Sequence, residues 1–587
     1  MKSSEDIKVL TIVVKSFFVF CLLAMSSLFL LLLVYSYEEL TSELLNFYGK
    51  QEQIDKFRTH YFTPGSYFYL KILLLFFSVL LLFSLYRLTG IATFIARKVA
   101  SIVTSLKAFW LSVKETYVAL TIHQKVLFYS TVILIGGIKL YFLRYFPFHV
   151  DELSSYLFFV KKGFFVTISY YPSPNNHIFY SLMAYLSQPF FSNPYYVMKV
   201  PSLLWSMLTS GFLFLFLLRY FPFSRAVLGT IIFSFACNYF VYSISGRGYA
   251  LMTTFTILSA FMVLEIISGR DEKFKWHIYA LSSILGFYTM VIYLYPFVSL
   301  IVAFAFSMVF AKKYFLLKPF IYYHLIIIMG VLILYTPVFL ISGLSSITSN
   351  SWMVHYTREE FVWILPKIIK EAFIFMLNID KGTFLIGSSI IFITIFILIK
   401  EKRKEWVFLL TSFFLVPPLL LMIQCLYPYG RVWTYLIFPM SLCIVIMLDF
   451  IFSRMIKSRH LVNILFLGFS SMITGYTIYY FHSFTNQSTG IYEEVDRIAS
   501  SIVSDESSTV YTNDDTYNIY LRYYGLLMGK RIVPEMGIHP SVSDFDYVLI
   551  TPSSSFPDSM VKDNYIVKEK NEYIEVYALK ENRNQLN

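Results

Sequence analysis

This 587-residue sequence is poor in charge. Asp, Glu, Lys and Arg make up 14% of it, where a soluble domain carries about 25%, and that excludes an ordinary soluble globular protein. Cysteine is scarce too. Cys21, Cys237, Cys425 and Cys443 each lie inside an apolar run and lack metal-ligand spacing, which excludes a disulfide scaffold or a zinc module and leaves them as small core residues. There is no heptad array and no low-complexity tract. A cleavable signal is missing as well: the first apolar stretch, 9–35, is longer than the roughly 7–15 residues of a signal core. It reads as a retained helix.

What the sequence has instead is apolar length. Hydrophobic residues make up 57%, with 61 Phe and 47 Tyr, and the mean hydropathy is +0.63. Runs approaching the roughly 20 residues that cross a bilayer recur at 9–35, 67–86, 126–146, 200–219, 224–244, 248–267, 276–294, 296–311, 319–342, 383–399, 406–426, 432–453 and 461–481. The expectation is an all-α polytopic membrane protein of about thirteen spans. The net charge of +12 falls mainly in short loops between runs, as membrane topology requires, so it does not point to nucleic acid. With the N-terminus inside, every inner loop is basic, from Arg87–Lys125 to Arg454–Arg459. The register holds only if 276–311 is two spans.

The opposite side is acidic. Residues 483–587 carry sixteen acidic and nine basic side chains. There, 509–512, 547–550 and 573–579 read as strands and 515–527 as a helix, giving a small C-terminal α/β module outside the membrane. Segment 87–125 is basic, with apolar residues at helical spacing, and reads as an amphipathic helix on the inner surface. Three regions follow: 1–125, an N-terminal helix pair plus the amphipathic segment; 126–482, the transmembrane core; and 483–587, the outer module.

Candidate chemistry gathers at one membrane face. Asp151 and Glu152 are adjacent carboxylates where the third span ends, a depth at which acids need a reason. Asn175-Asn176-His177 opens a short apolar run that fits an interface helix. Lys199 lies at the mouth of the fourth span, where snorkelling is its plain explanation. Ser245-Gly246-Arg247-Gly248-Tyr249 makes a tight turn, and its glycines suggest an Arg247 side chain free to swing. Arg431 sits in a second turn of this kind. The two arginines break the positive-inside trend, and arginine's planar fork suits phosphate as well as lipid headgroups. A carboxylate to take a hydroxyl proton and cations to meet a departing phosphate form the set that a polyprenyl-phosphate-sugar transferase needs.

The order of these motifs resembles the GT-C superfamily, in the branch of the protein O-mannosyltransferases and the lipid A aminoarabinose transferase. The resemblance covers about 126–482. An Asp-Glu pair follows the first core helix, here Asp151-Glu152. Asn175-Asn176-His177-Ile178 stands where the family has a His-Pro-Pro-Leu-like segment. Lys199-Val200-Pro201-Ser202 and Arg247-Gly248-Tyr249-Ala250-Leu251 stand for its Arg-Leu-Pro-Ser and Arg-Pro-Tyr-Ala-Leu segments. A late Arg motif followed by proline is matched by Arg431 and Pro439. Asn-Asn for the double proline, Lys at 199 and Gly at 248 are departures that bear on the donor sugar. The resemblance implies an inverting transfer from a polyprenyl-phosphate-linked sugar to a lipid, glycan or protein hydroxyl at the outer face of a bacterial inner membrane. It implies Asp151 as base, Glu152 in support, and Asn176, His177, Lys199, Arg247, Tyr249 and Arg431 on the substrates. A divalent metal beside Asp151 and Glu152 is left open. An O-antigen ligase-like enzyme is the nearest rival, through His355, Arg358, Glu359 and Glu360 in loop 343–381. A lipid or polysaccharide transporter is a further alternative, but the sequence shows no internal repeat.

Overall fold

The computed structural model describes residues 4–47, 54–172, 174–270, 272–348, 354–504, 509–530, 545–552 and 562–580, with 532, 534 and 536. The chain is an all-α polytopic membrane protein with a small α/β module near its C-terminus. Among the described residues, eleven helices are long and apolar enough to cross a membrane, and a bent pair counted as one span brings the number to twelve. Two of the thirteen expected spans, 224–244 and 276–294, lie outside those eleven. The run 224–244 is two helices, Phe223–Phe235 and Cys237–Ile244, bent by 67° where Ala236 leaves the helical region. The run 276–294 forms Lys273–Thr289, seventeen residues long, and ends where Met290 turns extended. The helix Leu294–Phe310 follows after a short 3-10 turn. The 276–311 region is therefore two helices, broken at Met290.

Burial separates centre from rim. Helix Tyr249–Ile267 buries every residue but Leu258, so it is the axis of the core. The spans Ile7–Val34 and Pro64–Leu85 bury almost nothing and face lipid at the edge. Helix Leu88–Val118 buries Ala92, Ala96 and Ala100 against Ser4–Val34 and Lys273–Thr289. That spacing of four puts the alanines on one helix face and allows close approach. Phe94, Val103 and Trp110 are exposed on the same helix, so its larger apolar side chains are turned away from the protein.

The last helix, Arg459–Ser504, runs unbroken through 482/483, where the sequence placed a domain boundary. Its 46 residues span about 69 Å, from the core into the module. There Val510–Thr512 pairs in parallel with Tyr547–Ile550, which pairs antiparallel with Glu575–Leu579, and Tyr565–Lys570 adds the edge. Helix Asp515–Leu527 packs on the short helix Val150–Phe158, so the module touches the element that carries the acidic pair.

Candidate functional site

The acidic pair is set by a helix start. His149 caps Val150–Phe158, and the Glu152 carboxylate reaches back to the His149 backbone N–H at 2.9 Å, a reciprocal capping box. This leaves the two neighbouring carboxylates in different surroundings. Glu152 is 1% exposed and lies 3.6 Å from the equally buried Lys199 ammonium; it also accepts from the Gly246 N–H. Asp151 is 27% exposed and meets Arg431 at 2.5 Å.

Lys199 does not snorkel. Its ammonium donates to the carbonyls of Phe146 at 3.0 Å and Pro147 at 2.7 Å, so it ties down the segment leading to Asp151. The Tyr195 hydroxyl also donates to Phe146 O, at 2.7 Å, and the Tyr520 hydroxyl of the module donates to Phe148 O at 2.6 Å. Three successive carbonyls just before the acidic pair are therefore held from two directions.

Arg247 does not swing. It is 5% exposed and donates to Ser155 Oγ at 2.6 Å, Asn175 O at 3.0 Å and Asp151 O at 3.2 Å. The flanking glycines serve close approach instead of freedom. A Cβ at Gly246 would stand 2.8 Å from Met198 Cβ, and one at Gly248 would stand 2.9 Å from Thr289 Cγ2 and 3.0 Å from His177 Cβ. With no side chain in the way, the Gly246 N–H reaches Glu152 and the Gly248 N–H reaches His177 Nδ1 at 2.9 Å.

That last bond fixes the imidazole. With Nδ1 accepting, a neutral His177 carries its proton on Nε2. Burial holds His177 well below the usual histidine pKa, and Arg247 and Arg431 push it further down. Nε2–H then faces Arg247 Nη2 at 3.2 Å, and both groups are donors. Arg247 Nε is also buried with no hydrogen-bond partner among the described residues. Arg247 Nε and the His177 Nε2–H are thus left without an acceptor, the situation that an anion relieves.

Burial works to raise the Asp151 carboxyl. Arg247, Arg431 and His149, with the direct bond from Arg431, outweigh it, and the carboxyl sits below the ordinary range. Tyr249 is buried with its ring edge-on to His177, centroids 5.3 Å apart. Asn176 is buried too. Its amide donates to Thr167 O at 3.0 Å and Tyr170 O at 2.9 Å, so it stitches the interface helices. Among the described residues, no group of three or more His, Cys, Asp and Glu could hold a metal. With Asp151 on Arg431 and Glu152 on Lys199, the donor set does not fit a divalent ion there.

No family model matches this sequence, and no curated protein matches it. The chain is similar to the crystal structure of ArnT from Cupriavidus metallidurans bound to undecaprenyl phosphate, at 12% identity and a TM-score of 0.49, over 78% of this chain and 98% of that one. The apo structure of the same protein gives 12% and 0.49, over 77% and 97%. At that identity the chemistry has to be read from the residues.

The rival loop is built differently. Thr357 caps helix Arg358–Leu377 with Glu360 as its reciprocal partner, 3.0 Å from the Thr357 N–H. That backbone bond holds the Glu360 carboxyl below its usual pKa. His355 lies in a two-residue strand opposite Leu426. The sequence reading missed His149, Ser155 and Tyr520. The first two had a signal, since His149-x-x-Glu152 has capping-box spacing and Ser155 follows Asp151 by one helical turn. Tyr520 had none.

Proposed function

We propose that the protein is a membrane glycosyltransferase that moves a sugar from a polyprenyl phosphate to an acceptor hydroxyl. The observation that carries the reading is the pair of unanswered donors, Arg247 Nε and His177 Nε2–H, beside the carboxylate of Asp151 and the partly exposed Arg431. An anion and a proton acceptor are wanted in one place. In the reaction, the acceptor oxygen attacks the anomeric carbon as its proton passes to Asp151, while the bond from that carbon to the phosphate oxygen breaks. The electron pair leaves with the polyprenyl phosphate, and the configuration inverts. Arg431 and Arg247 meet the charge on the phosphate. In the free protein Arg431 occupies Asp151. Arrival of the donor phosphate would draw Arg431 away and leave the carboxylate able to accept a proton. Glu152 and Lys199 act as positioning residues, holding the segment on which Asp151 stands.

The test uses purified protein, a radiolabelled polyprenyl-phosphate sugar and an envelope glycolipid extract as acceptor. Asp151→Asn should lose on the order of 10²–10⁴-fold in transfer, the usual worth of a general base, and bind the donor as before. Near-normal transfer would end the assignment. We further propose that the module faces outward from a bacterial inner membrane. A cysteine at Ser504 should then react with an impermeant maleimide in intact cells while one at Thr104 stays protected. The reverse pattern would invert the orientation.

A further inference from the structure

A cavity of about 470 Å³ lies between the module and the segment that leads to Asp151. That is within the range of about 300–1,000 Å³ typical of small-molecule sites. Its walls are unusual in kind. Tyr145 and Tyr195 come from the core side, Tyr492 and Tyr524 from the module side, and Glu493 and Asp496 line it as well. Residues 146–148 also border it.

The chemistry of that lining is specific. Tyrosine offers a broad, rigid face and a hydroxyl at low conformational cost. An ionised carboxylate only accepts hydrogen bonds. Rings with apolar faces and a rim of hydroxyl or amine donors complement such a wall on both counts, and saccharides are that class. Glu493 and Asp496 are exposed, and with Arg144 as the one cation in the lining they disfavour an anionic sugar.

The cavity is also joined to the candidate site. Phe148 and Asp151 are three residues apart, so their Cα atoms are within about 11 Å. The Tyr492 ring lies 5.3 Å from the His149 ring. Burial raises the Tyr492 hydroxyl, and the Asp151 and Glu152 charges raise it further, so Tyr492 lies within reach of both places. Tyr520, which also borders the cavity, holds Phe148 O.

We propose that this cavity, on the transferase reading above, is the acceptor subsite and receives a neutral or amine-bearing saccharide. The test is saturation-transfer NMR on the full-length protein in nanodiscs, with trimers of N-acetylglucosamine, glucosamine and galacturonic acid as probes. The first two should bind and the third should not. Tyr145→Ala with Tyr492→Ala should weaken both at least tenfold. Glu493→Gln with Asp496→Asn should weaken the glucosamine trimer at least tenfold and the acetylated trimer less. Undecaprenyl phosphate binding, followed on the same samples, should not change. Absence of saccharide binding, or equal binding in the variants, would overturn the subsite and leave the donor site standing. Saccharide binding without any affinity for undecaprenyl phosphate would sink the transfer reading and leave a saccharide cavity. A serine-rich decapeptide binding where the trimers fail would give the cavity to a protein acceptor and overturn the saccharide assignment.

Discussion

Two ionic clusters sit at opposite ends of helix Tyr249–Ile267. Arg247 just precedes it and Glu265 closes it, eighteen residues or about 27 Å apart, close to the hydrocarbon thickness of a bilayer. At the Glu265 end the charge is fully answered. Its buried carboxylate accepts from Tyr220 at 2.7 Å and Lys275 at 3.1 Å, with Arg270 at 3.4 Å and Arg219 at 3.8 Å. Arg219 also donates to Ser112 O at 2.9 Å, tying in helix Leu88–Val118. At the Arg247 end the answer is split. Glu152 and Lys199 are buried and mutually paired, whereas Asp151 and Arg431 meet at one partly exposed point, and Arg247 Nε and His177 Nε2–H have no acceptor. A closed cluster holds helices together. An open one has capacity left for a ligand.

The sharpest way to break that contrast is to mutate both ends. Glu265→Ala takes the buried carboxylate from Tyr220 and from Lys275, which keeps Glu272 at 3.3 Å, and should cost about 1–3 kcal/mol, read as a lowered Tm in detergent. Turnover per folded molecule should hold. Arg247→Ala and Arg431→Ala should do the reverse and each lose about 10²-fold or more in turnover. Lys should rescue position 431 in part. At 247 it should rescue less, because an ammonium can stand in for Nη1, which makes all three contacts, but supplies no donor where Nε and Nη2 stand. A folded but inactive Glu265→Ala, or full activity in both arginine variants, would erase the distinction.

The contrast also explains what the sequence could tell. Spans were legible because lipid-facing surface must be apolar, whichever neighbours a helix has. The bend at Ala236 was not, because the run around it stays apolar and the break is a backbone event. In the module, Val510–Thr512 and Tyr547–Ile550 are buried strands and read as apolar runs. Tyr565–Lys570 is an edge strand with exposed Val567 and charged Lys568, Glu569 and Lys570, and edges carry such charge. The site residues were legible as types. Their pairing was not: Asp151 and Arg431 are 280 positions apart, and nothing local says that Lys199 would turn inward to Glu152. The glycines at 246 and 248 were legible as a tight turn, but packing determines their role.

Gly246 gives a smaller and more local test. Gly246→Ala places a methyl 2.8 Å from Met198 Cβ, too close without a shift, and overpacking of this kind costs about 1–3 kcal/mol. The displaced N–H should also loosen Glu152 and the segment bearing Asp151. The expected result is a modest fall in Tm with a larger fall in kcat than in donor affinity. A matching substitution at Gly137, which has open space around it, should change neither. Equal effects at the two glycines would mean that the Gly246 contact does not position the carboxylate.

The smallest effect is the most diagnostic of how Asp151 is used. Burial raises its carboxyl, but Arg247, Arg431 and His149 together hold it below the ordinary range, which is about 4 for aspartate. A depressed carboxylate contributes stability above its unfolded pKa, and that contribution is lost as pH falls through the folded pKa. For activity, the acid limb of kcat/KM reports the free enzyme and that of kcat reports the complex. With Arg431 on Asp151 in the free protein, the limb in kcat/KM should lie below the ordinary carboxylate value. If the donor phosphate draws Arg431 away, the limb in kcat should lie at higher pH than the limb in kcat/KM. Arg431→Gln removes the cation from both states, so its kcat/KM limb should rise and the two limbs should approach each other, even as turnover falls. Profiles measured with wild type and Arg431→Gln on one donor decide the point. Coincident limbs in the wild type would mean that Arg431 stays on Asp151 throughout the reaction, and the carboxylate would then have to accept its proton while still paired.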